Sequence, residues 1–411
     1  MQPSRRPRRS RTAIVTIFTA AALAVTGLLA GCSADGASAD APAKSGVARV
    51  SITLASDGSN DTCALSATSA PAGPITFTVK NESSTAITEV ELLSQQRIIG
   101  EKENLAPGLK PVSFTLTLGG GTYQVQCPGA QKETQTFTVT GKAATPTGSV
   151  QSILKQGTDG YATYVTGVVT AMVTAVGNLK AAVDSGDLAE AQNAYALARP
   201  FYERIESDVA GFTLPGHAAT DNAGNLDYLI DMRASNLDDT VGWHGFHAVE
   251  RDLFQNKAIT PSTVAVTAEL QSNVLKLQTL AKKLTYKPED LANGAAGLLE
   301  EVQSSKINGE EEQFSHIDLV DFAANVEGAQ QAFAFLKPGM TKIDPTLTAR
   351  ISKQFDAVNT MLEGYRDPSA LGGYVSYTAQ LRSTDANKLS QAVQSLQDPL
   401  STIAEKVATA H

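Results

Sequence analysis

The hydrophobic residues of this chain change their period once, near residue 145, and that change restricts the fold more than any other feature. Across residues 48–140 apolar and polar positions alternate, as in residues 50–54, and Gly- and Pro-rich turns separate the alternating stretches. Such stretches are typical of short strands with one buried face and predict a small β-sandwich. After a linker at 141–150, apolar residues in 151–411 recur every three or four positions. The sequence therefore predicts a multidomain protein, with an N-terminal β-sandwich followed by an all-α domain.

The helical half divides at Gly, Asp and Pro residues. We expect helices at residues 151–184, 187–209, 226–236, 241–255, 261–284, 288–305, 315–336, 345–366 and 385–408. Connections of a few residues favour antiparallel neighbours in one or two helical bundles. Bundles build ligand sites from polar side chains that face inward on several helices, so polar stripes on these helices are the candidates for a site.

The N-terminal residues have the composition of an export signal. Five arginines come first, residues 12–30 are apolar and uncharged, and Cys32 follows a Gly. This order resembles the lipobox of bacterial lipoproteins, which implies a cleaved signal peptide at 1–31, a lipid on Cys32 and an extracytoplasmic, membrane-anchored location. Residues 32–47 are small and polar, which is typical of a flexible tether. An uncleaved membrane helix is the alternative for the apolar stretch.

The chain carries more acidic than basic groups. Its formal net charge is -9 at pH 7, and removal of residues 1–31 with their five arginines takes it to -14. An acidic balance argues against nucleic acid as a partner and is compatible with cation binding. We find no second sequence segment that we expect to span a membrane.

Two pairs of residues in the sandwich segment are candidates for a second metal site. Cys63 and Cys127 remain once the lipidated Cys is set aside, and a disulfide is expected, with thiolate coordination of a metal as the rival hypothesis. Glu101 and Glu103 share a face if extended and offer a carboxylate site, against the alternative of a solvated edge. A type-1 copper site is excluded because residues 33–150 contain neither His nor Met.

His247 and Glu250 are the most informative polar pair in the helical half. They lie three residues apart, so on a helix their imidazole and carboxylate converge on one side. Two ligands form only half of a metal site, and a half-buried ion pair is the alternative. Polar residues at helical spacing on two further predicted helices could complete the site, although solvated helix faces would look the same. They are Arg199, Tyr202 and Glu206 with Glu203 beside them, and Asp318, Asp321 and Asn325 after a predicted N-cap at Ser315.

The order Gly-x-His-x-x-Glu at residues 245–250 resembles the motif of the imelysin family. Residues 199–206 are similar to that family's earlier Arg/Tyr/Glu helix, and residues 101–108 and 300–328 are similar to its EfeO-type branch. The resemblance covers nearly all of residues 48–408. It implies a cupredoxin-like β-sandwich followed by an imelysin-like helical domain that binds metal.

The resemblance also implies a function and a set of ligands. EfeO-type proteins are extracytoplasmic iron-binding components of an elemental-iron uptake system and act with a membrane iron permease and a haem-containing, peroxidase-like partner. The expected role is therefore capture and delivery of iron, not catalysis. A donor set of one imidazole and several carboxylates suits ferrous or ferric iron as cargo and accepts zinc as a surrogate. The implied ligands are Glu206, His247, Glu250, Asp321, Asp318 and Glu203.

Two other functions compete with iron capture. A zinc metallopeptidase needs three protein ligands and a carboxylate base, commonly as HExxH or HxxEH. The sequence has no HExxH, and Arg251 follows Glu250 where the inverted motif requires His. An envelope- or polysaccharide-binding module would be expected to present aromatic residues, but the single Trp, Trp243, lies on the predicted core face.

Overall fold

The computed structural model of the chain describes residues 46–95, 97–304 and 306–410. The predicted signal peptide, the predicted lipidation site at Cys32 and nearly all of the predicted tether lie outside the described residues. Strands come first along the described chain and helices follow. The predicted fold class, a β-sandwich before an all-α domain, is therefore confirmed.

The alternating segments form two sheets. Between residues 46 and 140, Gln96 apart, the strands are β1 (Ala48–Ser56), β2 (Asp61–Leu65), β3 (Ser69–Pro71), β4 (Gly73–Asn81), β5 (Val90–Ser94), β6 (Arg97–Lys102), β7 (Val112–Leu118), β8 (Gly121–Gln126) and β9 (Thr134–Thr140). One sheet has the order β2-β1-β4-β7, and the other has the order β3-β9-β8-β5-β6. Strands β1 and β4 pair in parallel, as do β3 and β9.

The apolar positions of the alternating strands meet between the sheets. Val50, Ile52 and Leu54 of β1 are buried, while the residues between them are exposed or half-buried. Phe77 of one sheet packs edge-on against Phe137 of the other, with ring centroids 5.4 Å apart. Full burial of such a side chain stabilises the fold by about 1.5–3 kcal/mol. Because a slip by one residue would expose this whole set, the alternation also determines the strand register.

The two cysteines of the sandwich form a disulfide. Cys63 lies in β2 and Cys127 directly follows β8, so the bond joins one sheet to the other, with the two Cα atoms 6.4 Å apart. The expected pairing is confirmed. The rival hypothesis that Cys63 and Cys127 bind a metal as thiolates is wrong, because both sulfurs are used in the covalent bond.

The helical half begins at Ser149. Its described helices are α1 (Ser149–Ser185), α2 (Leu188–Glu203), α3 (Glu206–Val209), α4 (Leu226–Asp231), α5 (Gly245–Glu250), α6 (Pro261–Ala281), α7 (Pro288–Ser304), α8 (Asp318–Ile343), α9 (Pro345–Glu363), α10 (Ala379–Leu400) and α11 (Ile403–Ala408). A π-helical turn, Arg251–Gln255, continues α5. Only some connections are short, such as those between α1 and α2 and between α8 and α9. The connections from α3 to α4, α4 to α5, α7 to α8 and α9 to α10 have 13 to 16 residues each, so the expectation of connections of a few residues holds only in part.

Two predicted helices differ from the structure in ways that affect the candidate site. The expected helix 187–209 breaks after Glu203, because Ile205 leaves helical geometry with φ -134° and ψ 9° before α3 begins. Glu206 therefore does not continue the α2 stripe. The expected N-cap at Ser315 is also wrong, since α8 begins at Asp318 after Ile317 and has no side-chain cap.

Helix α1 is the longest described helix and runs through the bundle. It packs against α2, α6 and α8, and a stripe that includes Tyr161, Val165 and Val169 is buried against them. By length and composition it is also the one described helix apolar enough to cross a membrane, although no such segment was expected from the sequence. Its neighbours in the bundle account for the apolar stripe, as for the core helix of a helical bundle.

The sandwich contacts the helices through polar side chains. Glu289 of α7 accepts a hydrogen bond from the Thr117 backbone N–H at 3.0 Å, and Asn293 donates to the Thr115 carbonyl at 2.7 Å. Beside these contacts, β5 and β6 face α3 and α7 across a cavity of about 810 Å³. We call this cavity the chamber. It lies next to the polar residues of the candidate site.

Candidate metal centre

A buried arginine on α2 gathers carboxylates from the whole helical half. The Arg199 side chain is fully buried and also lies over the Phe246 ring. It forms ion pairs with five carboxylates, which are Glu203, Asp231, Glu311, Glu312 and Asp321. Arg199, these five carboxylates, His247 and Glu250 make up what we call the buried charge cluster. One guanidinium balances the charge of one carboxylate, so the other carboxylates must hold protons or pair with further cations.

The glycine of the Gly-x-His-x-x-Glu motif places His247 in the cluster. Gly245 has φ +69°, and a Cβ there would lie 2.1 Å from the Ile230 carbonyl oxygen, so only glycine fits. This close approach brings the start of α5 against the end of α4. His247 Nε2 consequently lies 3.7 Å from Asp231 Oδ1 and 3.4 Å from Glu311 Oε1.

Glu250 connects the histidine to a loop that carries two further carboxylates. Its Oε2 lies 2.9 Å from His247 Nδ1, and its Oε1 accepts hydrogen bonds from the backbone N–H groups of Phe314 and Ser315 at 2.8 and 2.7 Å. The loop 309–317 is thereby held over the cluster, where it supplies Glu311 and Glu312. Glu250 is thus a positioning residue that uses both of its oxygens in hydrogen bonds.

Two buried atoms of the cluster, each of a kind that can bind a metal ion, have no hydrogen-bond partner in the part of the chain that the structure describes. His247 Nε2 and Asp321 Oδ1 make no hydrogen bond with any described residue. Because Glu250 accepts the Nδ1–H, Nε2 is the nitrogen that can present a lone pair. Three sets of buried residues offer donor atoms within 4.8 Å of one another, which are Asp231, His247 and Glu311; His247, Glu250 and Glu312; and Glu203, Glu311 and Asp321. These imidazole and carboxylate donors fit a first-row transition-metal cation.

The electrostatics of the cluster favour an added cation. Burial raises the pKa of Asp231 to about 8 and that of Asp321 to about 7, despite the Arg199 charge. Burial acts in the same direction on Glu311, but Lys306 and Arg233 hold the pKa of Glu311 well below its usual value. A bound metal would stabilise the ionised form of the raised groups, so metal binding is expected to release protons.

Replacement of Glu250 by Gln is expected to weaken metal binding by about 10–100-fold. If the amide oxygen keeps the two backbone hydrogen bonds, the amide NH₂ faces His247 Nδ1 and favours the tautomer that carries its proton on Nε2, which cannot then bind a metal. Competition titration with a zinc chelator measures the change. Glu269→Gln is the matched control, because Glu269 lies 3.1 Å from His244 Nδ1 outside the cluster. Equal affinities of the two variants would contradict this role of Glu250.

The structure brings together four of the six predicted ligands. Glu203, His247, Glu250 and Asp321 all lie in the cluster. Asp318 is outside the donor sets, and its Oδ1 accepts the Glu312 backbone N–H at 3.2 Å, which supports the loop.

Glu206 also lies outside the donor sets. It contacts Lys306 Nζ at 3.1 Å and lines the chamber, because the break after α2 turns it away from the α2 stripe.

Three carboxylates of the cluster were not among the predicted ligands. Asp231 ends α4, and Glu311 and Glu312 lie in a loop without regular periodicity, so helical spacing could not select them. The resemblance of residues 300–328 to the EfeO-type branch covered both loop residues without assigning them a role. Arg199 lay on a predicted polar stripe, but the second buried cation, Lys306, was not expected to lie among these carboxylates.

The carboxylates predicted as a second site line the chamber. Glu101 and Glu103 of the sandwich face it together with Glu89 and Glu91, and Glu206 lies on the helical side. Burial and neighbouring carboxylates raise the pKa of Glu91, Glu101 and Glu103 to about 8 each. Glu101 and Glu103 are half-buried at the edge strand β6 and face an acidic, partly enclosed space, so the second carboxylate site stays a prediction beside the alternative of a solvated edge.

The chain is similar to known proteins. The family model described as imelysin (Peptidase_M75) matches residues 157–403. The iron uptake system component EfeO of Escherichia coli strain K12 is 32% identical over 342 residues, which cover 82% of this chain and 84% of that protein. The protein of the same name from Shigella flexneri gives the same figures. Among solved structures, the match to rusticyanin from Thiobacillus ferrooxidans covers 23% of this chain and 77% of the rusticyanin chain, at 12% sequence identity and a TM-score of 0.20.

Proposed function

Since the chain belongs to the imelysin family, with EfeO-type relatives, we propose that it is an iron-uptake component that captures iron in the buried charge cluster. The observation that carries the proposal is His247 Nε2, a buried nitrogen without a hydrogen bond among the described residues, aimed between Asp231 and Glu311. The relatives named as iron uptake components support iron as the cargo.

The charge of the cluster supports a cation of this kind. Six carboxylates, those that pair with Arg199 and that of Glu250, surround one guanidinium and one imidazole. Ferrous or ferric iron would displace protons from carboxylates of raised pKa such as Asp231, and zinc, which takes similar donors, would bind as a surrogate. His247 would supply Nε2, with carboxylate oxygens of Asp231 and Glu311 nearest to it.

The geometry does not favour a metallopeptidase. A zinc peptidase needs a carboxylate free to act as general base beside the bound water. Glu250 is the motif's carboxylate, but its two oxygens are engaged by backbone N–H groups and by His247. The centre is also fully buried, so a polypeptide substrate would have no access to it. We therefore propose a binding protein, not an enzyme.

The proposal includes a location and partners. A lipid on Cys32 and a short tether would hold the two domains at the outer face of a membrane, close to a permease that accepts iron. The chain offers no haem or type-1 copper ligand set in its sandwich, so oxidation of ferrous iron would be carried out by a haem-containing, peroxidase-like partner. Reconstitution with the permease would test delivery.

Metal titration tests the proposal. We expect the full chain, purified in detergent and freed of metal, to bind ferrous or ferric iron with a dissociation constant below about 1 μM, and to bind zinc at the same centre. Calorimetry with zinc and chelator competition with both iron states measure this. Absence of binding in that range for either iron state would contradict the proposal. Cleavage of an unfolded protein by the zinc-loaded chain would favour the peptidase instead.

A further inference from the structure

Lys306 lies at the boundary between the buried charge cluster and the chamber. Its ammonium contacts four carboxylates and its side chain is 1% exposed. Two of these carboxylates, Glu203 and Glu311, belong to the cluster. The other two, Glu206 at 3.1 Å and Glu301 at 3.4 Å, line the chamber. One flexible cation thus binds to both groups of acids at once.

The boundary holds a second cation that is less able to move. Arg233 lines the chamber and its Nη1 lies 3.2 Å from Glu311 Oε2, while its Nη2 lies 3.8 Å from Glu301 Oε1. Its planar guanidinium is directed by both partners, whereas the lysine ammonium sits on a flexible four-carbon stem. A shift of a few ångströms toward Glu206 and Glu301 would release Lys306 from the cluster and keep it paired.

We propose that Lys306 is an internal competitor for the metal, and that iron passes between the chamber and the buried charge cluster at this residue. As the ion arrives, the ammonium leaves Glu203 and Glu311 and stays with Glu206 and Glu301. As the ion departs, the ammonium returns and neutralises the carboxylates that the ion leaves behind. This inference rests on the proposed function, and it adds the route by which iron reaches the cluster and the way in which iron is released.

The physical reason is the cost of buried, unpaired carboxylates. Without a cation, Glu203 and Glu311 would repel one another and the other acids of the cluster in a low-dielectric interior. A tethered ammonium lowers that cost in the metal-free state and so weakens the net affinity for the ion. A carrier that must deliver its cargo needs such reversible binding, and a cluster with fixed charges alone would retain the ion.

Removal of the lysine charge separates this role from a structural one. We expect Lys306→Met to release zinc to excess chelator about tenfold more slowly than the wild type, and to bind it correspondingly more tightly. A lysine that only maintained the fold would give the opposite result, because its loss would loosen the site. Stopped-flow release from the full chain, loaded with zinc, measures the rate.

Lys102→Met is the matched control for the general loss of positive charge. Lys102 lines the same chamber and pairs with Glu300, but it has no contact with the cluster carboxylates that the structure describes. We expect the rate of zinc release from Lys102→Met to stay within about threefold of the wild-type rate. Equal rates in the two variants, or faster release from Lys306→Met, would overturn the proposal. The wild type is titrated first, before any variant is compared. Its failure to bind zinc or iron would contradict the proposed function itself.

A measurement on the wild type covers the case in which Lys306→Met does not fold. Cyanate carbamylates accessible lysine amines, and peptide mass spectrometry reports the extent at each lysine. We expect Lys306 to react faster in the zinc-loaded chain than in the chelator-treated chain, because displacement moves its amine toward the chamber. Lys102 is the internal reference. Equal or slower reaction of Lys306 in the loaded chain would contradict the displacement.

Discussion

His247→Ala is expected to weaken the binding of zinc and ferrous iron by more than about 100-fold while the fold is retained. The substitution removes the one imidazole of the buried charge cluster and the donor atom Nε2, which faces Asp231 and Glu311. The remaining carboxylates already pair with Arg199, so they cannot replace the lost ligand without breaking ion pairs. Titration of both metals into the variant, with circular dichroism to verify the fold, tests this expectation.

A second histidine in the same segment provides the control. His244 directly precedes α5, and its ring nitrogens lie 3.1 Å from Glu269 Oε2 and 3.3 Å from the Val241 carbonyl oxygen. Although it lies close in sequence to His247, it is not in the described donor sets. His244→Ala should therefore keep the wild-type affinity. If it lost binding as His247→Ala does, or if both variants kept it, the metal centre would have to lie elsewhere.

Much of the fold could be predicted because it depends on local periodicity. Alternation in residues 48–140 predicted the strands, and the apolar stripe of α1 predicted a bundle helix. The spacing of His247 and Glu250 likewise placed both on one side of a short helix. Their different roles could not be predicted from spacing, since the hydrogen bonds that engage Glu250 come from a loop about 65 residues away in the chain.

The other carboxylates of the buried charge cluster were missed because their positions depend on tertiary contacts. Asp231 approaches His247 only because Gly245 permits close contact with Ile230. The α2 stripe was extended to Glu206 because sequence spacing gives no sign of the break at Ile205. That break separates Glu203, in the cluster, from Glu206, which lines the chamber. Both glutamates nevertheless contact the ammonium of Lys306. A helix interruption of two residues thus creates the boundary between the two groups of acids.

The cluster is also expected to dominate the stability of the metal-free protein. Arg199 pairs with carboxylates from α2, α4, α8 and the loop 309–317, so it joins four parts of the helical half through one buried side chain. A buried ion pair often contributes little net stability compared with an apolar replacement of the whole pair. Removal of one partner is different, because the remaining charges stay buried without compensation.

Arg199→Met should therefore lower the free energy of unfolding by about 3–5 kcal/mol in the presence of a chelator. Urea unfolding monitored by circular dichroism measures the change. Added zinc should recover part of the loss, because an ion that binds only the folded state stabilises it and supplies the positive charge that the variant lacks. This recovery distinguishes an electrostatic defect from a simple loss of packing.

Arg204→Met, at the residue directly after α2, is the control. Arg204 pairs with Glu327 at 2.7 Å and stacks on Phe201, but its side chain is 26% exposed, so its loss should change the free energy of unfolding by no more than about 1 kcal/mol. Similar effects of the two substitutions would mean that the carboxylates around Arg199 take up protons and tolerate the loss of the guanidinium. In that case the negative charge that we assign to metal capture would also be too small, and the affinity for iron should be weak at neutral pH.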